Sequence, residues 1–307
     1  MMKNYILRCV CFITLFCGIV EVQAQQESQY TQYMYNTITV NPAYAGSRGM
    51  LSMSGIYRTQ WIGLEGAPET MAFSLNSPVG IRGVGMGLSL NSDKIGPATE
   101  NLLTADFSYT IQTSERTKLS FGIKAGFNSL DVDMNKLNPE YINDPQLTDV
   151  NRMAPVFGAG VYLHSDKWYV GLSVPSFLET EHYDDVQVSA VTEKAHVYLI
   201  AGYVFDLNPM LKFKPAVLTK AVSGSPLAVD VSANFLYNER FTLGAAYRLD
   251  AGVSALVGFQ ITDQLMLGYA YDYDTTDLGN YNAGSHEIFL RFELGRLVRG
   301  VMNPRFF

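Results

Sequence analysis

The chain has 307 residues, 48% of them hydrophobic and only 17% charged, with 22 Lys+Arg against 29 Asp+Glu and a pI of about 5.1. Charge this sparse in so apolar a chain excludes disorder, and the acidic balance excludes nucleic acid as a partner. A soluble α/β enzyme carries about 25% charged residues, and a helical membrane protein would exceed the mean hydropathy of +0.04 found here.

Residues 1–24 read as a secretory signal peptide. Lys3 and Arg8 supply the positive start, Cys9 to Val20 is an apolar run too short to span ~30 Å of hydrocarbon, and Val22-Gln23-Ala24 sets small residues for cleavage after Ala24. All three cysteines, Cys9, Cys11 and Cys17, lie in this peptide. The exported chain therefore relies on burial and backbone hydrogen bonds rather than disulfides. Loss of Lys3, Arg8 and Glu21 moves the net charge from −7 to −8.

Residues 25–50 do not alternate. Gln25 to Asn36 is polar and tyrosine-rich and leads into Asn41-Pro42-Ala43-Tyr44-Ala45-Gly46. The expectation is a segment that folds into a lumen or caps a periplasmic mouth.

From residue 51 the period is two. Leu119, Phe121, Ile123, Ala125 and Phe127 share one face, opposite Ser120, Gly122, Lys124, Gly126 and Asn128. Such segments are amphipathic strands. Fourteen are expected: Leu51–Arg58, Thr70–Asn76, Gly83–Asn91, Leu102–Gln112, Lys118–Asn128, Pro155–Ser165, Trp168–Pro175, Ala195–Asp206, Met210–Lys220, Pro226–Asn238, Arg240–Leu249, Gly252–Thr262, Gln264–Tyr273 and His286–Leu294. Most match the ~9–11 residues that cross a bilayer at a tilt. Very short polar turns occur at Ser165-Asp166-Lys167, Leu207-Asn208-Pro209, Asn238-Glu239 and Thr262-Asp263, against long loops at 129–154, 176–194 and 274–285. Such asymmetry is characteristic of outer-membrane barrels.

A soluble sandwich would also alternate, but three features favour the membrane barrel. Charge within the strands sits on one face (Arg58, Lys124, Lys212, Lys214, Asp230, Arg248, Arg291), as in a lumen. Tyr57, Tyr109, Tyr162, Tyr169, Tyr203, Tyr237, Tyr247 and Tyr273 lie near strand ends, as an interfacial girdle would. Small residues at Gly83, Gly85, Gly87, Gly122 and Gly126 leave room for an internal plug, and a fourteen-stranded lumen is wider than wall side chains can fill. The expected fold is an all-β transmembrane antiparallel barrel over 51–294, with residues 25–50 as a plug or periplasmic segment and 295–307 as a tail.

Catalytic signals are weak. His164, His182, His196 and His286 are scattered and read as surface or girdle residues. Gly83 to Gly87 lacks the spacing of a dinucleotide loop. Asp272, Asp274 and Asp277 read as a solvated loop edge, since Thr276 and Asp277 break the calcium-loop pattern. Neither Ser47 nor Ser254 sits in a nucleophile elbow. No cofactor, metal or enzymatic activity is expected.

Several stretches resemble the PorP/SprF family: Gln29 to Asn36, Asn41 to Gly49 (NPAYAGSRG), Arg58 to Gly63 with Gly66-Ala67-Pro68, Asp93-Lys94-Ile95-Gly96-Pro97 after the third strand, Gly284 to Phe292, and the closing Asn303-Pro304-Arg305-Phe306-Phe307. The resemblance implies an outer-membrane barrel of a Bacteroidota-type bacterium, accessory to type IX secretion or gliding. It would aid export or surface attachment of a secreted adhesin with a type B C-terminal sorting domain, with outer-membrane lipid and the secretion or gliding machinery as further partners. A channel for small or hydrophobic solutes is the alternative. Asn41, Pro42, Tyr44 and Gly46 would fix a tight turn ahead of the first strand, or else dock periplasmic machinery. Trp61 and Trp168 would anchor at interfaces. The last strand would close against the first, Phe307 would serve as an assembly signal only if Pro304 permits, and cargo would meet the 176–194 and 274–285 loops.

Overall fold

The computed structural model describes residues 30–80, 83–133, 150–178 and 194–294. They form a closed antiparallel barrel of fourteen strands: β1 (Leu51–Thr59), β2 (Glu69–Pro78), β3 (Val84–Ile95), β4 (Ala98–Gln112), β5 (Lys118–Val132), β6 (Val150–His164), β7 (Trp168–Val174), β8 in two pieces (His196–Tyr203 and Phe205–Asn208), β9 (Leu211–Val222), β10 (Ala228–Tyr237), β11 (Phe241–Arg248), β12 (Gly252–Gln260), β13 (Leu265–Asp274) and β14 (Ser285–Leu294). Each strand pairs with its sequence neighbours, and β14 closes on β1 from Leu51 opposite Leu294 to Thr59 opposite His286. Closure satisfies the edge groups that hydrocarbon cannot solvate. No helix among the described residues is long and apolar enough to cross a membrane.

The expected strands all form, with two differences. The expected strand Ala195–Asp206 is interrupted at buried Val204: its N–H continues the β7 register by donating to the Lys167 carbonyl at 2.7 Å, while on the other side the pairing lapses at Lys214 and Pro215, the latter having no N–H to give. The strands β3 to β6 run farther than expected, to 12–15 residues each. Asp93 to Ile95 thus belong to β3, not to a segment after it, and Gly96-Pro97 is a two-residue turn with Gly96 at φ +56°. The two ends of the expected 129–154 loop, 129–132 and 150–154, are likewise strand. These additions are rich in Asn, Ser, Asp and Glu, so they pair with one another beyond the ~11 residues a bilayer needs.

The strand directions put connections of five residues or fewer, and no longer ones, at one end, together with the start of β1 and the end of β14; the two-residue Gly96-Pro97 turn lies at the other. At the first of these ends Asn238 and Glu239 turn with φ of 52° and 53°, the left-handed pair at the centre of a turn closed by the Arg240 N–H on the Tyr237 carbonyl. In the Ser165–Lys167 turn, Lys167 is bonded to the Asp206 carboxylate, which raises the ammonium's pKa. The opposite end carries the longer loops.

The outward rows are apolar: Met71, Phe73, Leu88, Leu90, Phe107, Phe121, Ile123 and Phe127 are all exposed. Six of the expected girdle tyrosines face outward in two rings. Tyr109, Tyr203 and Tyr237 lie toward the short-turn end, and Tyr57, Tyr247 and Tyr273 toward the other. Tyr162 and Tyr169 correct the expectation, for both point inward and are 1% and 6% exposed. They pack with each other at 5.8 Å, and Tyr162 meets Tyr44 edge-on. His164 and His196 are also inward and buried rather than surface residues, whereas His286 sits outside against Tyr269 and Tyr271. Both faces of β6 and β7 are apolar, so alternation could not tell inside from outside there.

Candidate functional site: a filled lumen and its two mouths

Residues 30–49 occupy the lumen. Tyr30, Tyr33, Met34, Tyr35, Ile38, Ala43, Tyr44 and Ala45 form one apolar cluster with wall residues Ile56, Tyr162, Tyr198, Ile200, Leu218 and Phe289. The segment starts at the long-loop end beside Arg58 and descends through three single-turn helices (Tyr33–Tyr35, Thr37–Thr39, Pro42–Tyr44). It then feeds β1 at the short-turn end.

Asn41 sets the last of these turns. Its Oδ1 accepts the Ala43 N–H at 3.0 Å, capping the Pro42–Tyr44 helix, and its Nδ2 donates to the Val161 carbonyl at 3.1 Å. Pro42 stands at the first helical position, where its missing N–H costs nothing. Gly46 adopts φ +69° against Pro78 and Gly85. The wall accommodates the turn by omitting side chains: a Cβ at Gly122 would overlap the Ala43 backbone, and one at Gly85 the Ala45 carbonyl. Gly87 does the same for Ile38, whereas Gly83 and Gly126 face other wall residues.

Small wall hydroxyls hold the segment's backbone and polar side chains. Ser108 Oγ donates to the Ala45 carbonyl and Ser173 Oγ to the Val40 carbonyl, each at 2.7 Å, and Ser74 Oγ donates to Asn36 Oδ1 at 2.6 Å. Toward the long-loop end, the fully buried Glu287 carboxylate accepts the Thr31 N–H at 2.9 Å and the Gln32 N–H at 2.8 Å. Arg58 bridges Glu287 (3.1 Å) and Asp272, and Thr31 Oγ1 donates to Asp272 at 2.6 Å. Asp272 is therefore part of this clasp, not a solvated loop edge. Lower down, Arg48 pairs with Glu293, and Tyr35 stacks on Phe289 with Arg291 and Lys214 each 5.7 Å from its ring. Lys124 pairs with Asp106 at 3.0 Å.

Sequence reasoning placed Arg58, Lys124, Lys214, Asp230 and Arg291 on the lumenal face, where they are. It missed Glu287 and Glu293 as partners, although both share Arg291's parity in HEIFLRFE.

Each end opens into a recess. At the short-turn end about 490 Å³ lies among Ala45 to Ser47, Pro78 to Gly80, Gln112 and Lys118. At the long-loop end about 360 Å³ is lined by Trp61, Asp93, Asp230, Arg248, Asp250 and Asp274. Trp61 (φ 46°) is part of this lining, its backbone N–H donating to Ser285 Oγ at 3.2 Å, while its loop is tied to the 275–284 loop by Ile62 and Ala283. Trp168 begins β7 at the other end, half-buried. Asp93 accepts the Thr70 hydroxyl. Pro304, Arg305, Phe306 and Phe307, like His182 and most of the 176–194 loop, lie outside the described residues. No cluster of metal-ligating side chains occurs among the described residues.

Residues 22–292 match the family described as type IX secretion system membrane protein PorP/SprF. The chain belongs to that family. The resemblance carried by NPAYAGSRG and GSHEIFLRF thus holds across the barrel, and the PorP/SprF barrel is an outer-membrane, type IX secretion-associated protein. None of the curated protein sequences matches the chain. Among solved structures, the chain is similar to the Acinetobacter baumannii outer membrane protein Omp33 (7% identity, 80% of this chain and 100% of that one, TM-score 0.49). It is also similar to the Ralstonia pickettii toluene transporter TbuX (11%, 84% and 93%, 0.49) and the CymD monoaromatic hydrocarbon channel (14%, 86% and 92%, 0.47). Outer-membrane barrels keep short turns in the periplasm and longer loops outside, which makes the 490 Å³ recess periplasmic and the 360 Å³ vestibule extracellular.

Proposed function

We propose that this PorP/SprF barrel is a non-enzymatic accessory of type IX secretion or gliding. It aids export or surface attachment of one secreted protein, an adhesin with a type B C-terminal sorting domain. The observation that carries this reading is the filled lumen. Residues 30–49 are packed and hydrogen-bonded along its depth, so the work falls to the mouths and outer loops, where a partner chain has access. The buried Asn41 to Ala45 support a structural rather than a docking role for NPAYAG. Cleavage after Ala24, which would free residues 25–50 as the plug, belongs to the same reading.

The alternative, a channel for small or hydrophobic solutes, requires a path that the plug obstructs. The test is deletion of the gene followed by proteomics of cell surface and medium. Loss or mislocalisation of one large secreted protein is expected. Unchanged secretion with altered uptake of a small solute would overturn the proposal in favour of the channel.

A further inference from the structure

The barrel wall is uneven on its outer side between β6 and β7. β6 pairs with β5 along its whole length, Val150 opposite Val132 through His164 opposite Lys118. On its other side it pairs with β7 only from Ala159 to His164. Beyond β7 the chain stays beside β6 through one further bond, the Phe177 N–H to the Phe157 carbonyl at 2.8 Å. Among the described residues nothing pairs with this edge of β6 farther out.

Residues of one parity in a strand direct both backbone groups to the same side. Phe157 points its carbonyl to the open edge, so Asn151, Met153 and Pro155 do likewise. Unpaired among the described residues, this row offers two N–H donors, at Asn151 and Met153, and three carbonyl acceptors. Pro155 has no N–H to leave unpaired, which is why a proline is tolerated in a strand of this length. The row also stands clear of hydrocarbon. Along β5 the lipid-facing residues are apolar as far as Phe127 and then change to Ser129 and Asp131, which sit opposite Met153 and Asn151. In lipid an open edge would be excluded, but in water it is a template for strand addition. Beside it, Met153, Phe157 and Phe177 are 73%, 50% and 50% exposed.

We propose that this edge of β6, from Asn151 to Pro155, captures an extended strand of the secreted partner by backbone pairing. An apolar side chain on the partner would cover Met153. The inference rests on the proposed surface-attachment function and names where the partner is held. The occupant is an extended peptide because the unmatched groups are main-chain donors and acceptors at strand spacing, which neither a lipid nor a small solute can match.

Two measurements test it. In the purified barrel in detergent, the Asn151 and Met153 amides should exchange with deuterium freely. Slow exchange would mean that the chain's own loop or a second copy occupies the edge, and the proposal would fall. In cells, the surface protein lost on deletion should drop about tenfold at the surface and rise in the medium with Met153→Pro, which removes a donor at the parity where Pro155 is already accepted. Met153→Ala, which keeps the N–H, should retain most of it. Heat-dependent gel mobility establishes that the variant barrel is folded, and Asn151→Pro substitutes should Met153→Pro fail. Full surface retention in a folded proline variant, while deletion still abolishes it, would overturn the edge and leave the attachment function standing. If deletion itself releases nothing, the function falls and the edge with it.

Discussion

Glu287→Gln isolates the clasp. The carboxylate is fully buried and accepts two N–H groups of the plug and one from Arg58. The amide keeps the shape but presents its NH2 to a site built only of donors, so at least one donor loses its partner and Arg58 retains Asp272 alone. Breaking a buried pair costs about 3–5 kcal/mol, which corresponds to a roughly 150- to 5,000-fold rise in local opening at 1.36 kcal/mol per decade. The assay is hydrogen exchange on the barrel in detergent, read at the Thr31 and Gln32 amides, with β12 and β13 amides as an internal reference. Exchange should accelerate at the plug and stay unchanged in the wall, and single-channel conductance should appear as the upper plug loosens. Plug amides that exchange at the wild-type rate would refute the reasoning, since the two bonds to Glu287 would then contribute nothing to holding the segment.

Gly122→Val places side-chain atoms where the Ala43 backbone lies, and overpacking costs typically ~1–3 kcal/mol; thermal unfolding in detergent should fall accordingly, whereas Gly55→Val, with nothing near its Cβ, should leave it unchanged. Phe107→Arg puts a cation on the lipid face near mid-bilayer and should lower folding stability in vesicles by about 2–4 kcal/mol, against ~0–1 for Tyr237→Arg at the girdle. Asn41→Ala removes the cap on Pro42–Tyr44 and the bond to Val161, at about 1–2 kcal/mol, measured by urea unfolding in detergent. Lys167 should titrate above its ordinary value of 10.5 because Asp206 bonds its ammonium. That stabilisation is present in full below 10.5 and is lost as pH rises through the raised value, so NMR titration should return Lys167 downward in Asp206→Asn and in high salt.

Most of the wall was legible from period-two patterning, because lipid enforces a dry outer row on every strand. Phe121, Ile123 and Phe127 against Ser120, Lys124 and Asn128 admit one orientation only, and the short Asn238-Glu239 and Thr262-Asp263 turns put an even strand count in register. Extra strand length in β3 to β6 was not legible, because polar residues such as Asn101, Asp131 and Asn151 read as loop until they are seen pairing across the ladder. Tyr162 and Tyr169 could not be placed either: Ala154, Val156 and Tyr162 on one face of β6 are as apolar as Phe157, Val161 and Leu163 on the other.

Composition and alternation alone thus pointed to a closed membrane barrel and its lipid face, with all three cysteines confined to residues 1–24. Tertiary structure decided what the lumen holds. Arg58, Asp272 and Glu287 lie up to 229 residues apart and meet only when β14 closes on β1. Close approach of Asn41 to Ala45 to the wall depends on Gly85 in β3 and Gly122 in β5. Such contacts carry no local period, so they become visible only when the barrel is closed around its own N-terminal segment.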